Sequence, residues 1–361
     1  MFFVAGDELK VLVTGAAGFI GSHVVDAFVD AGAKIIGLDS LDAGVHHHAP
    51  DYLRSDVDYC FSDLRWWQPD DRFYDVEMIV HLAALGGVSR ASREPANIIE
   101  ANCGGTARLL AAARTWPKLR RTLLAGSFSV YGANYQYRCP QCSQEMNATR
   151  LTEDLERGVF DVICTKCGTP AEVLPITEAT PPSPLETYGA SKYMQELCFR
   201  GFDHGEQTIL RFSSVYGTRL RLDDGEATII AKLASWIRNG ESPSLFEDGR
   251  QIRDWVYVGD LVAAVMALAN GASAPPVVNV CAGVPTTLAE ACRYIADAVG
   301  KSCVPKIVGG YRPGDMRHCL GDNSRFRELI LRAPLPPREG LNLAFAELSE
   351  KTSSAAQSVT V

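Results

Sequence analysis

The sequence predicts an α/β fold: a doubly wound parallel sheet with a smaller C-terminal domain and a small cysteine-bearing insert. Three observations predict it. Short apolar runs alternate with stretches of helical periodicity in the first half of the chain, which is the pattern of βαβ units around a parallel sheet. A glycine-rich turn follows the first apolar run. A polar stretch with two Cys-x-x-Cys pairs then interrupts the alternation.

The predicted elements begin with a strand at Lys10–Thr14, followed by a helix whose apolar face includes Ile20, Val24 and Phe28. Further strands are predicted at 34–39, 76–83 and 121–126, and helices at 95–114 and 187–203. A later strand near 277–281 is expected to return to the main sheet.

These elements suggest four parts of the chain. Residues 1–132 and 173–212 are predicted to form the main sheet domain, and 213–349 a smaller C-terminal domain. Residues 133–172, where the composition becomes polar, form the predicted insert. Residues 350–361 are small and polar, so we expect a flexible tail.

Composition and charge narrow the function classes. The chain has 361 residues, of which 43 are acidic and 35 basic, and a formal net charge of −8. A sequence-independent nucleic-acid binder needs a basic face, so no nucleic-acid partner is expected. No window approaches about 18 uninterrupted apolar residues, and residues 1–8 lack the features of a signal peptide. We therefore expect no membrane partner and a cytoplasmic location, where paired cysteines indicate metal or redox groups before disulfides.

The turn after the first strand has the sequence TGAAGFIG and opens a helix. Gly15, Gly18 and Gly21 permit a tight turn and let backbone N–H groups approach a pyrophosphate at the helix N-terminus. Asp39 closes the next strand, where a carboxylate can bind a ribose 2′-OH and repel a 2′-phosphate. A glycine-rich turn without a ligand is the alternative. The order of strand, turn, helix and acid favours a Rossmann-type domain that binds NAD rather than NADP.

Further motifs follow in a fixed order along the chain. They are Asp63-Leu64, HLAA at 81–84, Asn102 before Gly105-Thr106, Ser127 before VYG, YGASK at 188–192, RFSSVYG at 211–217, DGRQIRD at 248–254 and RPGD at 312–315. With these motifs the chain resembles the extended short-chain dehydrogenase/reductase family, in particular its nucleotide-sugar epimerases and dehydratases. The resemblance runs from about residue 9 to about residue 335, apart from the insert.

Tyr188 and Lys192 lie four residues apart, which places both side chains on one face of a helix. A phenol has an ordinary pKa of about 10, too high for a general base at neutral pH, and a nearby lysine cation would lower it. The resemblance implies that Tyr188 is the catalytic acid/base and that Lys192 also holds the nicotinamide ribose. It implies that Ser127 hydrogen-bonds the reacting hydroxyl. A surface Tyr-x-x-x-Lys pair is the alternative, which Ser127 and the glycine-rich turn disfavour.

The resemblance also implies further contacts. Cofactor contacts are expected from Phe19, Ile20, Asp63, Leu64, Leu82, Ala83, Ala84 and Asn102. Arg253 and Arg312 resemble arginines that bind the substrate diphosphate, a role that suits a permanently charged, bidentate guanidinium. Surface ion pairs are the alternative for both. Ser214 stands where relatives have asparagine, so we expect it to contact substrate with altered sugar or phosphate placement.

The residues after Ser127 bear on the reaction. Dehydratases of this family carry an acidic pair there, whereas this chain has Phe128 and Ser129, which disfavours dehydration and uronic-acid decarboxylation. Epimerisation at C4 needs fewer groups, because Tyr188 can remove and return the 4-hydroxyl proton while NAD takes up and returns hydride. We therefore expect an isomerase, an NAD-dependent nucleotide-sugar 4-epimerase. Its substrate would be a nucleotide-diphosphate sugar, for example a dTDP-6-deoxyhexose such as dTDP-L-rhamnose.

Other functions stay open on the sequence. UDP-hexose and UDP-uronate 4-epimerases are alternatives, and so is an NAD(P)H-dependent 4-keto-sugar reductase that uses the same three residues. From another class, a non-catalytic dinucleotide-sensing protein is the alternative. Such proteins usually lose the tyrosine or the lysine, and this chain keeps both.

The insert has two Cys-x-x-Cys pairs, separated by 21 residues: Cys139, Cys142, Cys164 and Cys167. Two such pairs at this separation indicate a zinc-ribbon-like site, and four thiolates would fill a tetrahedral shell and make the metal structural. Disulfides and a redox pair are the alternatives. We expect the insert to shape or cover the sugar pocket or to add to a dimer contact. Relatives are usually homodimers through a helical interface, which the helices over 95–114 and 187–203 would supply.

Overall fold

The computed structural model describes residues 8–46, 48–147, 150–222, 228–312 and 315–346, so the predicted tail at 350–361 lies outside the described residues. The strands in chain order are β1 (Lys10–Thr14), β2 (Lys34–Asp39), β3 (Asp58–Phe61), β4 (Met78–His81), β5 (Arg121–Ser127), β6 (Gln136–Arg138), β7 (Glu145–Asn147), β8 (Glu172–Val173), β9 (Glu206–Phe212), β10 (Ser214–Tyr216), β11 (Ser244–Leu245), β12 (Ile252–Tyr257), β13 (Val277–Val280), β14 (Pro285–Thr287) and β15 (Lys306–Ile307). The helices are α1 (Phe19–Asp30), α2 (Val88–Arg93), α3 (Pro95–Ile99), α4 (Gly105–Ala113), α5 (Thr152–Glu156), α6 (Thr187–Arg200), α7 (Ile229–Arg238), α8 (Val258–Ala269), α9 (Leu288–Ala298), α10 (Ser324–Ile330) and α11 (Pro337–Phe345).

The main sheet has seven parallel strands in the order β13-β9-β5-β4-β1-β2-β3. The chain moves from β1 to β3 on one side and from β4 to β13 on the other, so the order reverses between β1 and β4. Ligands of doubly wound sheets bind beyond the carboxyl ends of the strands at such a reversal. The topology therefore places the candidate site at that edge.

Helices cover both faces of the main sheet, which explains why its central strands are continuous apolar runs. On one face, Phe28 of α1 and Leu261 of α8 are buried in a common core. On the other face, Leu109 of α4 and Phe199 of α6 pack with Trp67. These buried contacts hold the carboxyl ends of the strands in fixed register.

The C-terminal half contributes to two cores. Strands β10, β12 and β14 form a small sheet, and α7, α9 and α11 pack around Trp255 in a core of their own. Strand β13 instead pairs with β9 in the main sheet, and residues of α8 and α10 belong to the main core. The span 213–349 is thus divided between the smaller domain and the main sheet.

The insert leaves the chain after β5 and returns before α6. Strands β6, β7 and β8 form an antiparallel sheet, packed through Tyr137 and Val162 against the rest of the protein. Its base is closed by hydrogen bonds from the Ala133 N–H to the Ser183 carbonyl (3.0 Å) and from the Ser183 N–H to the Val130 carbonyl (2.8 Å).

Two predicted elements differ from the structure. The helix expected over 95–114 consists of α3, a π-helical turn at Glu100–Gly104 and α4. The strand expected over 76–83 is limited to β4, because the residues after it turn away to line a cavity. Among the described residues, no helix is both long and apolar enough to span a bilayer.

Candidate active site

A cavity of about 790 Å³ lies along the carboxyl ends of the main-sheet strands, within the usual range for small-molecule sites. The predicted site residues that line it are Gly15, Gly18, Phe19, Ile20, Gly21, Asp39, Asp63, Leu64, Leu82, Ala83, Ala84, Ser127, Tyr188, Lys192, Ser214 and Arg312. Of the predicted catalytic, cofactor and substrate residues, which all lie within the described ranges, Asn102 and Arg253 do not line it. Most of the residues chosen from sequence motifs therefore meet in one cavity.

The glycine-rich turn has the geometry of a phosphate cradle. Gly15 has φ +70°, a left-handed conformation that favours glycine. A Cβ on Gly21 would lie 1.9 Å from the Gly15 carbonyl oxygen, so only glycine allows α1 to approach β1 this closely. The Asp39 carboxylate accepts hydrogen bonds from the N–H groups of Ala17 and Leu41, both at 2.9 Å. Asp39 thus supports the glycine-rich turn, and its carboxylate lies at the cavity edge where a ribose hydroxyl would bind.

The predicted catalytic residues converge from two elements. Ser127 ends β5, and its hydroxyl interacts with the phenol of Tyr188 in the first turn of α6. Lys192 follows one turn later and is buried. The arrangement brings a hydroxyl, a phenol and an amine to one side of the cavity.

Burial controls the protonation of both α6 groups. It raises the pKa of Tyr188, while the hydrogen bond with Ser127 works in the opposite direction and the nearby Glu186 charge adds to the rise. Burial lowers the pKa of Lys192 to about 8, against the opposing effect of Glu196. The lysine therefore remains mostly protonated at neutral pH and can favour the phenolate of Tyr188.

Asn102 acts behind the cavity wall. Its side-chain oxygen accepts a hydrogen bond from the Leu85 N–H at 2.7 Å, and its amide group donates to the Leu85 carbonyl at 3.0 Å and to the Ser191 hydroxyl at 2.9 Å. Asn102 lies in the π-helical turn, a distortion that often occurs at functional sites. It joins the segment after β4 to α6 and so supports the region around Tyr188 and Lys192.

Asp63 lines the cavity but already has a partner. Its carboxylate accepts hydrogen bonds from the Arg65 guanidinium, with the shortest distance 2.6 Å, and this pairing lowers the pKa of Asp63. The Arg65 guanidinium also donates to the Asn97 side-chain oxygen at 2.5 Å. Asp63 is therefore held ionised and fixed at the cavity edge.

The predicted substrate residues separate into two environments. Ser214 and Arg312 line the cavity, and the Arg312 guanidinium lies 5.0 Å from the centre of the Phe246 ring. Arg253 donates instead to the backbone carbonyls of Ile252 (2.9 Å) and Arg317 (3.2 Å). In the described structure, Arg253 thus holds strand β12 against the segment that follows Arg312.

Two further residues, Lys232 and Ser129, lie at the site and belong to none of the motifs that resemble the family. Lys232 of α7 lines the cavity and adds a cation to those of Lys192 and Arg312. The Ser129 hydroxyl lies 2.7 Å from that of Ser127 and extends the hydroxyl pair to three. A Ser127-x-Ser129 pattern after a buried strand was the available signal for the second residue.

The four insert cysteines form a second cluster, and their sulfur atoms all lie within 4.8 Å of one another. The Cys139 and Cys167 sulfurs are 3.4 Å apart, and those of Cys142 and Cys164 are 3.6 Å apart. Cys139 and Cys164 are buried, whereas Cys167 is exposed. The fold therefore brings four cysteine sulfurs, from two separate turns, to one place.

The two cysteine pairs sit in equivalent turns. The Ser143 N–H donates to the Cys139 carbonyl and the Gly168 N–H donates to the Cys164 carbonyl, both at 2.9 Å. Ser143 and Gly168 have φ values of +59° and +69°. Each turn therefore directs its two sulfurs toward the same point.

Comparisons with known proteins agree with this geometry. The chain matches the NAD dependent epimerase/dehydratase family over residues 11–281. The dTDP-L-rhamnose 4-epimerase of Burkholderia thailandensis is 28% identical, over 95% of this chain and 94% of its own. The UDP-N-acetylglucosamine 4-epimerase of Methanobrevibacter ruminantium, solved in complex with UDP-N-acetylmuramic acid, superposes with a TM-score of 0.76 at 26% identity, covering 96% of this chain and all of that one.

The UDP-glucose 4-epimerase of Thermus thermophilus, solved in complex with NAD, superposes with a TM-score of 0.72 at 26% identity. That match covers 94% of this chain and 99% of the other. The likeness to these structures confirms the predicted fold class. The chain matches the family model, shares the fold and combines the glycine-rich turn with Tyr188 and Lys192. It therefore belongs to the NAD-dependent epimerase/dehydratase family.

Proposed function

We propose that this protein is a nucleotide-sugar 4-epimerase that uses NAD. The observation that carries the proposal is the Ser127, Tyr188 and Lys192 set at the cavity, without a carboxylate at positions 128 and 129. Phe128 is buried in an apolar cluster and Ser129 offers only a hydroxyl. The site thus has the groups for proton transfer at one hydroxyl and lacks the acidic pair that elimination of water requires.

The cradle at Gly15 and Gly21 fits a dinucleotide, because the α1 N-terminus lines the cavity and can receive a pyrophosphate. Bound NAD would supply reversible hydride transfer at C4 of the sugar. Tyr188 accepts the 4-hydroxyl proton on its phenolate oxygen and later returns it. Ser127 orients that hydroxyl, and Lys192 keeps a positive charge beside the phenolate. Asp39 favours NAD over NADP, since its charge would repel a 2′-phosphate.

The substrate we propose is a nucleotide-diphosphate sugar, specifically a dTDP-6-deoxyhexose such as dTDP-L-rhamnose. The dTDP-L-rhamnose 4-epimerase named above supports it, since that relative aligns over almost the whole chain. Arg312 and Lys232, which both line the cavity, would bind the diphosphate. A UDP-hexose or UDP-uronate substrate is the second candidate, favoured by the similar UDP-sugar 4-epimerase structures.

We also propose that the cysteine cluster holds a structural zinc ion. Zn–S bonds of about 2.3 Å in a tetrahedron place the sulfurs about 3.8 Å apart, and the distances of 3.4, 3.6 and 3.9 Å agree with that spacing. The four residues would be Cys139, Cys142, Cys164 and Cys167. With no position open to substrate, the metal would stabilise the fold of the polar insert.

We propose a homodimer through α3 and α6. Ile99, Met194 and Leu197 are exposed apolar side chains on these two neighbouring helices. A second copy that packs the same helices against them would remove this patch from water. We place the protein in the cytoplasm, where nucleotide sugars are made and thiolates stay reduced.

A substrate panel tests the proposed activity. The purified protein is incubated with dTDP-L-rhamnose, UDP-glucose and UDP-glucuronate, and the sugars are followed by proton NMR. The expected result is a C4 epimer from one of them without added cofactor. Stoichiometric NAD(P)H oxidation with a 4-keto sugar, and no epimer from any member of the panel, would instead establish a reductase.

A further inference from the structure

A buried ion cluster joins the insert to the smaller domain. Its members are Arg150 and Asp161 from the insert and Glu247, Asp248 and Arg317 from the smaller domain. The side chains of Arg150, Glu247 and Arg317 are 6%, 4% and 1% exposed. Because buried charges depend on their partners, these contacts fix the insert to the chain around residue 317.

Glu247 is the shared member of the cluster. Its two carboxylate oxygens accept hydrogen bonds from the Arg150 and Arg317 guanidinium groups, each at 2.7 Å. Arg317 also forms a bidentate pair with Asp248 (2.7 and 2.8 Å) and donates to Asp161 at 3.0 Å. Glu247 therefore joins the insert to the smaller domain, and the contact between Arg317 and Asp161 joins them a second time.

The same residues surround the segment that carries Arg312. The Glu247 N–H donates to the Gly310 carbonyl at 2.7 Å, and the ring of Phe246 lies beneath the Arg312 guanidinium. Arg150 donates to the Asp315 carbonyl. Glu247 holds this position with φ +53°, a conformation that a non-glycine residue adopts only when its surroundings impose it.

We propose that the insert positions Arg312 for the substrate diphosphate, and that Arg150 is the residue through which it does so. No described residue of 133–172 lines the cavity, so the insert acts on substrate affinity at a distance rather than by covering the sugar. Contacts at Gly310 and Asp315 hold the chain before and after Arg312, and the Phe246 ring lies beneath its guanidinium. The inference rests on the proposed function, because it assigns the diphosphate to Arg312.

The test compares two arginines of the insert. Arg150→Met removes the buried partner, and Arg157→Met removes an exposed arginine paired with Asp154. Dissociation constants for dTDP and UDP are measured by titration calorimetry on the NAD- and metal-loaded protein, and KM and kcat are measured with the turned-over sugar. We expect Arg150→Met to raise the dissociation constant and KM about tenfold with kcat nearly unchanged, since diphosphate binding is equal in ground and transition states. Arg157→Met should match the unmodified protein.

A double substitution separates positioning from general damage. If Arg150 acts through Arg312, adding Arg150→Met to Arg312→Met should change the dissociation constant by less than about twofold. Full additivity of the two effects would overturn the inference. If Arg150→Met does not fold, Asp161→Asn repeats the test, because it weakens the same cluster from a partly exposed position. Metal content and melting temperature are measured for each variant.

The outcomes distinguish the two proposals. If the unmodified protein binds neither nucleotide and epimerises no sugar, the proposed function fails and the inference fails with it. If the unmodified protein binds a nucleotide and neither Arg150→Met nor Asp161→Asn weakens that binding, the inference alone is wrong.

Discussion

The carboxylate of Glu186 accepts hydrogen bonds from the backbone N–H of Tyr188 at 2.6 Å and from that of Gly189 at 2.7 Å. One side chain thus begins α6 and determines where the proposed acid/base enters the cavity. Its negative charge also contributes to the raised pKa of Tyr188, after burial, whereas the hydrogen bond with Ser127 lowers it. Glu186 therefore links the geometry of the site to its pH dependence.

Glu186→Gln should shift the pH dependence of catalysis. The amide keeps an oxygen that can accept one N–H bond but removes the charge that opposes the phenolate, so the pKa of Tyr188 falls. Since the phenolate is the active base, the rising limb of kcat/KM against pH moves to lower pH. Glu153→Gln, in the first turn of the exposed α5, should leave the limb in place. A limb that moves to higher pH in Glu186→Gln contradicts this electrostatic role.

Tyr188→Phe should lower kcat by about 100- to 10,000-fold, the usual contribution of a positioned acid/base. The NAD content released on denaturation should stay unchanged, because the glycine-rich turn is untouched. Tyr74→Phe, at an exposed tyrosine that does not line the cavity, serves as the matched control. Full activity in Tyr188→Phe would favour a non-catalytic dinucleotide-sensing role.

Glu196→Gln should destabilise the fold. Glu196 and Arg211 form a buried bidentate pair at 2.8 and 2.7 Å, with both side chains at most 1% exposed. Removing one partner leaves a buried charge and costs about 3–5 kcal/mol. The urea midpoint should fall accordingly. Glu206→Gln, at a largely exposed carboxylate, should cost about 1 kcal/mol or less, and equal midpoints for the two variants would refute the prediction.

Cys164→Ser should release the proposed zinc ion. We expect about one zinc per chain in the unmodified protein by mass spectrometry of the metal, and much less in the variant, with a lower melting temperature because metal binding and folding of the insert are coupled. Cys60→Ser, at a half-buried cysteine of the main sheet, should keep its metal. An unmodified protein with much less than one zinc per chain, in which the four insert cysteines all react freely with a thiol reagent, would rule out the site.

Leu197→Glu should dissociate the proposed dimer. A charge on the exposed apolar face of α6 cannot be buried against a second copy without a partner. Light scattering should then report a monomer of about 39.2 kDa. Leu343→Glu places the same charge on an exposed leucine of α11 and should leave the mass of the dimer intact. A monomeric unmodified protein would refute this interface.

Local pattern accounts for much of the fold. The bounds of β1 and β2 match the predicted runs, because both strands are buried and end at turn residues that the sequence displays. The π-helical turn was not predictable in this way. It depends on Asn102 reaching Leu85 and Ser191, which lie 17 and 89 residues away.

In the candidate site too, local sequence pattern predicted some residues, whereas tertiary contacts decide the position of others. The glycine-rich turn, Tyr188 and Lys192 were recognisable because they occur together and in order with the other motifs that resemble the family. Lys232 was missed, since it reaches the cavity only through the packing of α7 on the smaller domain. Arg253 has the expected sequence position, but tertiary contacts with backbone carbonyls decide where its guanidinium goes.

Because the base of the insert is closed, the length of the insert can change without moving the rest of the chain. Ala133 and Ser183 meet through a backbone hydrogen bond, so the two ends of the intervening segment are neighbours whatever lies between them. The separation of Ser127 from Tyr188 is then independent of the length of that segment. Evolution or a protein engineer could exchange the whole insert for a short turn, which would alter substrate affinity through Arg312 and leave Ser127 and Tyr188 in place.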